Sequence, residues 1–163
     1  MKKFFFLLLT SNLLFPFNIQ VSHSNEFDSY YFLKIKNKEA LRLMNQGNFS
    51  KAEKLCDEII EISPEEELGY LCKGIALGFS EKRSKREALK NFTMAIEKNP
   101  EFYEAYYWRG VLQFSMRRNK SSKMDRTACS DIKKAYINNY PYAIDYVKEN
   151  MSFLRRDNCS GFY

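Results

Sequence analysis

The sequence predicts an all-helical protein built from repeated helical hairpins. Three observations carry this prediction: a small residue recurs at regular intervals, a Pro follows each interval, and apolar residues lie between them at helical spacing. Ala40, Gly74 and Gly110 form the first phased set, at offsets of 34 and 36 residues. A period of about 20–50 residues is typical of stacked helical repeats.

A second phased set lies further along each repeat. Ala52, Ala88 and Ala128 recur at offsets of 36 and 40, and each precedes a bulky residue four positions on and an apolar residue seven positions on. The residues in these two later slots are Cys56 and Ile59, Phe92 and Ala95, and Ile132 and Ala135. Because small residues let two helix axes approach closely, we expect each hairpin to pack through them.

These phased residues resemble the tetratricopeptide repeat (TPR) family, whose unit is a pair of antiparallel helices packed through small residues. The resemblance covers roughly residues 33–141. It implies a short right-handed TPR-like superhelix of about three hairpins plus a C-terminal capping helix, with the first helix of each hairpin lining a concave face. The implied units are repeats at about 33–66, 67–102 and 103–140 and a capping helix at 141–155.

One position departs from the family pattern. The residue before each small first-helix residue is usually apolar, but here it is Glu39, Lys73 or Arg109.

Capping signals and Pro residues set the helix boundaries. Ser63-Pro64-Glu65-Glu66 and Ser84-Lys85-Arg86-Glu87 have the capping-box pattern, and Asn99-Pro100 repeats the first cap. The predicted helices lie at about 29–46, 49–62, 64–80, 85–98, 100–117, 125–138 and 141–155. The last of them carries an apolar stripe that we expect to close the end of the repeat array: Ala143, Tyr146, Val147, Met151 and Leu154.

The N-terminal segment 1–24 has the layout of a signal peptide. Lys2-Lys3 precedes the apolar run Phe4–Phe17, and Ser22 and Ser24 on either side of His23 form a small-x-small pattern that predicts cleavage after Ser24. Cleavage would leave residues 25–163 as one helical domain, exported to a periplasm, a lumen or the medium. The alternative is an uncleaved membrane anchor, although a spanning helix needs roughly 20 apolar residues and this run is interrupted by polar residues and a Pro.

The charge of the exported domain bears on its partners. The chain has 26 basic and 20 acidic residues, and removal of Lys2 and Lys3 leaves a formal net charge of +4, too mild for a nucleic-acid binder. Two basic turns, 82–86 and 117–126, each join the two helices of a repeat. They indicate either an anionic surface as a partner or ordinary solvated loop charge.

Catalysis has no support in the sequence. His23, the only His, lies in the predicted signal peptide, which excludes a His-dependent triad or zinc site from the exported domain. The chain also lacks the Gly-rich phosphate and dinucleotide motifs. We therefore expect a non-enzyme without a cofactor or metal.

Four cysteines remain after export: Cys56, Cys72, Cys129 and Cys159. An oxidising compartment permits three connectivities, whereas the slot of Cys56 also suits a free core thiol. Cys56 and Cys72 lie eight residues on either side of Pro64, so they are at similar height on antiparallel helices. Cys159 follows a helix that returns beside the one carrying Cys129. These placements predict the pairs Cys56–Cys72 and Cys129–Cys159.

The concave face is the predicted binding site. Apolar residues one turn apart on the first helices of the second and third repeats form the candidate groove: Leu71, Ile75, Phe79, Tyr107, Val111 and Phe114. The first repeat adds Asn37, Leu41 and Met44. We expect the groove to hold a peptide or an amphipathic helix from a protein partner. The alternative is a self-associating structural protein, whose groove is filled by its own chain or by a second copy in a homodimer.

Some members of the family clamp a C-terminal carboxylate with Lys and Asn four residues apart on a first helix, and with a Lys/Arg pair on a later one. The matching positions here are Asn37 and Leu41, then Glu104 and Trp108. The basic residues are missing, so the resemblance implies no recognition of a carboxylate tail.

Overall fold

The computed structural model of the chain describes residues 22–80, 85–116, 126–156, 159 and 162. These ranges contain seven α-helices and no strand, which confirms the predicted all-helical class. The helices are α1 (Ser22–Asn45), α2 (Phe49–Ile62), α3 (Glu67–Gly78), α4 (Lys85–Lys98), α5 (Tyr103–Ser115), α6 (Arg126–Ile137) and α7 (Pro141–Arg156).

Backbone contacts separate the chain into two units. The first unit, residues 1–32, includes the beginning of α1, and the second unit, residues 33–163, holds the rest of α1 and the other six described helices. Within the described ranges, no helix has both the length and the apolar character that a bilayer span requires.

The observed boundaries correct the predicted caps. Ser63 ends α2, and α3 begins at Glu67 with no side-chain cap hydrogen bond, so the predicted capping box at Ser63 is wrong. Asn99 likewise lies before α5, which begins at Tyr103. Its side-chain oxygen accepts a hydrogen bond from the Glu101 N–H at 3.0 Å and closes the turn instead of capping the helix. The predicted box at Ser84 lies outside the described residues.

The Pro residues of these turns have a different role, which the sequence pattern did not reveal. The Tyr70 hydroxyl donates to the Pro64 carbonyl at 3.1 Å, and the Tyr106 hydroxyl donates to the Pro100 carbonyl at 3.3 Å. Both Pro residues precede the helices α3 and α5, so their carbonyls lie outside the helical hydrogen-bond pattern. The repeated Tyr–Pro pair therefore ties each first helix to the turn that precedes it.

Close helix approach depends on the phased glycines. A Cβ atom on Gly74 would lie 2.6 Å from the Phe92 ring of α4, and a Cβ on Gly110 would lie 2.9 Å from Ile132 of α6. Phe92 and Ile132 are fully buried. In the second and third hairpins the small residue of the first helix thus faces the bulky residue of the paired second helix, and the predicted close approach of these helices is confirmed.

The apolar core consists of three clusters along the array. The first joins α1, α2 and α3, the second joins α3, α4 and α5, and the third joins α5, α6, α7 and the C-terminal tail. Each cluster therefore links one hairpin to the first helix of the next. Such nearest-neighbour packing is the defining property of a helical repeat array.

Two of the three charged residues at the packing position, those of α3 and α5, pair with neighbouring helices. Lys73 contacts Asp57 of α2 at 2.7 Å. Arg109 donates through two nitrogens to the Asp131 carboxylate of α6, at 2.7 and 2.9 Å, and a third nitrogen donates to Thr93 at 3.1 Å. Asp131 is only 4% exposed, and its hydrogen bond raises the pKa of Arg109. The departure from the family pattern is thus compensated by ion pairs between helices.

Both predicted disulfides are confirmed. Cys56 of α2 is bonded to Cys72 of α3, and Cys129 of α6 is bonded to Cys159 in the tail after α7. No cysteine is free. In the loop-entropy account, closing loops of 16 and 30 residues stabilises the fold by about 3–4 kcal/mol each.

Replacement of Gly74 by Ala tests the close approach of α3 and α4. An Ala is favoured over Gly by roughly 1 kcal/mol in a helix interior, but its Cβ would overlap the Phe92 ring, and overpacking costs about 1–3 kcal/mol. We expect Gly74→Ala to lower the free energy of unfolding in urea, followed by circular dichroism. The double variant Gly74→Ala/Phe92→Leu should lose less free energy of unfolding than the two single variants lose in total. A Gly74→Ala protein more stable than the natural chain would contradict the close approach.

Candidate functional site

The six predicted groove residues differ widely in exposure. Leu71 and Tyr107 are buried, at 4% and 8% exposure, and belong to core clusters. Ile75, Val111 and Phe114 are half-buried against those clusters. Phe79 is 40% exposed. Of the six side chains, Phe79 is therefore the most accessible to a partner.

The first repeat shows a similar mixture. Leu41 is 39% exposed, whereas Met44 is buried at 7% in the cluster shared with α2 and α3. Asn37 is half-buried. Leu41 is consequently the accessible apolar residue among these three.

An aromatic series begins at Phe79 and continues across α5. The Phe79 ring meets the Trp108 ring edge-to-face with centroids 5.2 Å apart, and Trp108 meets Tyr107 at 5.0 Å. Tyr107 in turn lies 5.4 Å from Tyr140 and 6.4 Å from Tyr142. Edge-to-face pairs at these separations are attractive beyond the area that they bury. Phe79 and Trp108 therefore form a single packed surface where α3 meets α5.

The last helix covers part of the predicted face. Tyr146 of α7 contacts both Tyr107 and Phe114 with ring centroids 6.0 Å away, and Phe153 lies 5.6 Å from Phe114. The chain's own C-terminal helix thus occupies the end of the face formed by Tyr107 and Phe114. Phe79, directly after the end of α3, is the predicted residue that stays substantially exposed.

The sequence interpretation missed four members of this series: Trp108, Tyr140, Tyr142 and Phe153. One signal was available, because Tyr140 and Tyr142 flank the Pro141 that begins the last helix. The other signal was that Trp108 is the only Trp in the chain. Their contact with the groove residues could not be read from spacing, because it depends on how α7 returns across α5.

Acidic side chains accompany the aromatic rings. The Trp108 indole N–H donates to the Glu104 carboxylate at 3.3 Å. Burial, and then the charge of Glu104 together with a hydrogen bond to it, raises the pKa of Tyr140. Burial also raises the pKa of Tyr107, and the negative charges of Glu149 and Asp145 on α7 add to that effect. Carboxylates from α5 and α7 therefore raise the pKa of tyrosines within the same group of rings.

The predicted basic turns fall largely outside the described residues. Of the first turn, Lys85 and Arg86 are described, and both are exposed at the start of α4. The second turn, 117–125, and the Arg126 side chain lie outside the described residues. Within the described ranges no group of three His, Cys, Asp or Glu residues is arranged to hold a metal ion.

Comparison with known proteins assigns the fold. No family model matches the chain, and no curated protein is similar to it in sequence. Among solved structures, it is similar to one titled "TPR2B-domain:pHsp70-complex of yeast Sti1", with a TM-score of 0.56 and 21% sequence identity. The match covers 80% of this chain and 94% of that one. The protein therefore has a TPR-like helical repeat fold, as the phased residues predicted.

The buried tyrosines predict how stability depends on alkaline pH. Burial, followed by the nearby Tyr107, raises the pKa of Tyr146 from 10.0 to about 12 in the folded protein. Below pH 10 both states hold this proton, and above it the unfolded chain releases its proton first, so stability must fall as pH rises from 10 towards 12. Urea unfolding at several pH values should show a shallower fall for Tyr146→Phe than for the natural chain. Tyr30→Phe, at an exposed position, is the control, and an unchanged slope in Tyr146→Phe would refute the assignment.

Proposed function

We propose that the protein is a non-enzymatic interaction module that binds a peptide or helix of a partner protein on the face around Phe79. The observation that carries the proposal is the exposed Phe79 ring, packed edge-to-face on Trp108 where α3 meets α5. A ring that is 40% exposed yet fixed by a neighbour loses little entropy on binding. The TPR-like fold supports this role, because the similar solved structure is a complex of a TPR2B domain with pHsp70.

The partner is expected to extend over the groove residues near Phe79. Ile75 lies one turn before it on α3 and is half-buried, as is Val111 on α5. Leu71 and Tyr107 support this surface from the core. An amphipathic helix or an extended segment with apolar anchors one turn apart fits such a face.

A second candidate function follows from the position of α7. Because Tyr146 and Phe153 cover Phe114, part of the groove is already filled by the chain itself, which favours a structural, self-associating protein. In that case the exposed Phe79 would contact a second copy. Sedimentation of the purified protein separates the two functions, since a concentration-dependent homodimer supports self-association and a monomer supports partner binding.

Export is also part of the proposal. Two disulfides, one between α2 and α3 and one between α6 and the tail after α7, with no free cysteine, are typical of proteins that fold in an oxidising compartment. The protein isolated from its native compartment should begin at Asn25 and yield the peptides Cys56–Cys72 and Cys129–Cys159 when mapped without reduction. Met1 retained in a membrane fraction would favour the uncleaved anchor, whereas four free thiols would contradict the disulfides and folding in an oxidising compartment.

Replacement of Phe79 by Ala tests the binding face. Because burial of an apolar side chain of this size contributes roughly 1.5–3 kcal/mol, Phe79→Ala should weaken binding of a peptide selected from a random library by about 10- to 100-fold. Fluorescence anisotropy of the labelled peptide gives the affinity, and circular dichroism checks the fold.

Ile62→Ala is the matched control, because Ile62 is 45% exposed at the end of α2 and away from the face. Equal losses in both variants would refute the assignment. Tyr107→Ala is unsuitable as a test, because Tyr107 is a core residue whose truncation is expected to destabilise the fold by about 3–5 kcal/mol.

A further inference from the structure

The face around Trp108 has a charge opposite to that of the chain. The chain as a whole has a formal net charge of +6. On this face Glu104 lies beside the Trp108 indole, and Asp145 and Glu149 of α7 act on Tyr107. Since the protein is basic overall, the acidic charge of this face indicates a match to the molecule that contacts it.

The described cations near these rings leave the carboxylates accessible. Lys148 approaches Asp145 at 3.8 Å, but both side chains are about 70% exposed, and such surface pairs contribute little. Other described cations pair elsewhere: Arg109 with Asp131 of α6, and Lys73 with Asp57 of α2. Neither pair uses a carboxylate of the aromatic face.

Glu104 retains capacity for another donor. Its carboxylate accepts from the Trp108 indole and is hydrogen-bonded to the Tyr140 hydroxyl. An ionised carboxylate has about four lone-pair sites, so two remain for a further charged donor. Since Trp108 and Tyr140 hold the group in place, it is pre-positioned to accept a guanidinium or an ammonium.

The aromatic rings suit the same kind of ligand. Phe79 is 40% exposed and Tyr142 is 62% exposed, and the half-buried Trp108 belongs to the same series through Tyr107. The face of an aromatic ring attracts a cation, most strongly for Trp, and Arg in particular stacks on it. The apolar stem of a long basic side chain can pack along the same surface.

We propose that this face recognises a basic segment of the partner protein, with an Arg or Lys side chain placed against Phe79, Trp108 and Tyr142 and paired with Glu104. The inference rests on the proposed peptide-binding function and adds the charge of the ligand to it. An acidic segment would meet like charges from Glu104, Asp145 and Glu149, and a purely apolar helix would leave those carboxylates without a counter-charge.

Three synthetic helical peptides test the proposal. They share the same apolar positions and carry Arg, Gln or Glu at every polar position. Because Trp108 is the only Trp in the chain, its fluorescence reports binding to the purified protein directly. The Arg peptide should bind about 10-fold more tightly than the Gln peptide, and the Glu peptide should bind most weakly.

Variants locate the source of the preference. Glu104→Gln can still accept the Trp108 hydrogen bond but removes the charge, so it should lower affinity for the Arg peptide several-fold and leave the Gln peptide unchanged. The triple variant Glu104→Gln/Asp145→Asn/Glu149→Gln should bind the Arg and Gln peptides equally. Glu61→Gln, which neutralises an exposed carboxylate on α2, is the control and should change neither affinity.

The outcomes separate this inference from the function on which it rests. Equal binding of the Arg and Gln peptides, or a preference for Glu, would overturn the inference while leaving peptide binding intact. A preference for Arg that survives in the triple variant would overturn it as well, because the charge would then be recognised elsewhere. Failure of all three peptides to bind would reject both the inference and the proposed function.

Discussion

The architecture depends on one repeated contact, in which a small residue of a first helix faces a bulky residue of the paired second helix. Gly74 meets Phe92, and Gly110 meets Ile132, at distances that leave no room for a Cβ atom. Because the axes of α3 and α4 approach so closely, both flanking faces of α3 contact other helices. α3 and α5 thereby each belong to two core clusters, and the hairpins stack into one array.

Close approach also explains the ion pairs between helices. The residue before each phased glycine lies near the neighbouring second helix, where an unpaired charge would be strongly unfavourable. Arg109 satisfies this constraint with the buried Asp131 and with Thr93, and Lys73 does so with the less buried Asp57. Because breaking a buried ion pair leaves an uncompensated charge, loss of Asp131 is expected to cost more stability than loss of the more exposed Asp57.

The candidate site is a consequence of the same stacking. α5 presents Tyr107 and Trp108 side by side, so that one ring is enclosed by α7 and the other contacts Phe79 of α3. The disulfide between Cys129 and Cys159 holds the tail after α7 against α6, and α7 contacts α6 as well. The face is therefore covered at one end by α7, whereas Phe79 at the other end stays exposed.

The sequence alone determined the helices, their pairing and both disulfides, because these depend on spacing within or between adjacent helices. Gly74, Phe92 and the cysteines each have a fixed register relative to a nearby turn. Only the tertiary structure decided which groove residues are accessible, because burial of Tyr107 depends on the path of α7, and no local pattern encodes that path. The capping roles predicted for Ser63 and Asn99 were wrong, because α3 and α5 begin later than the capping signals indicate. The turns before these helices are instead stabilised by Tyr hydroxyls that donate to Pro carbonyls six residues earlier in the chain.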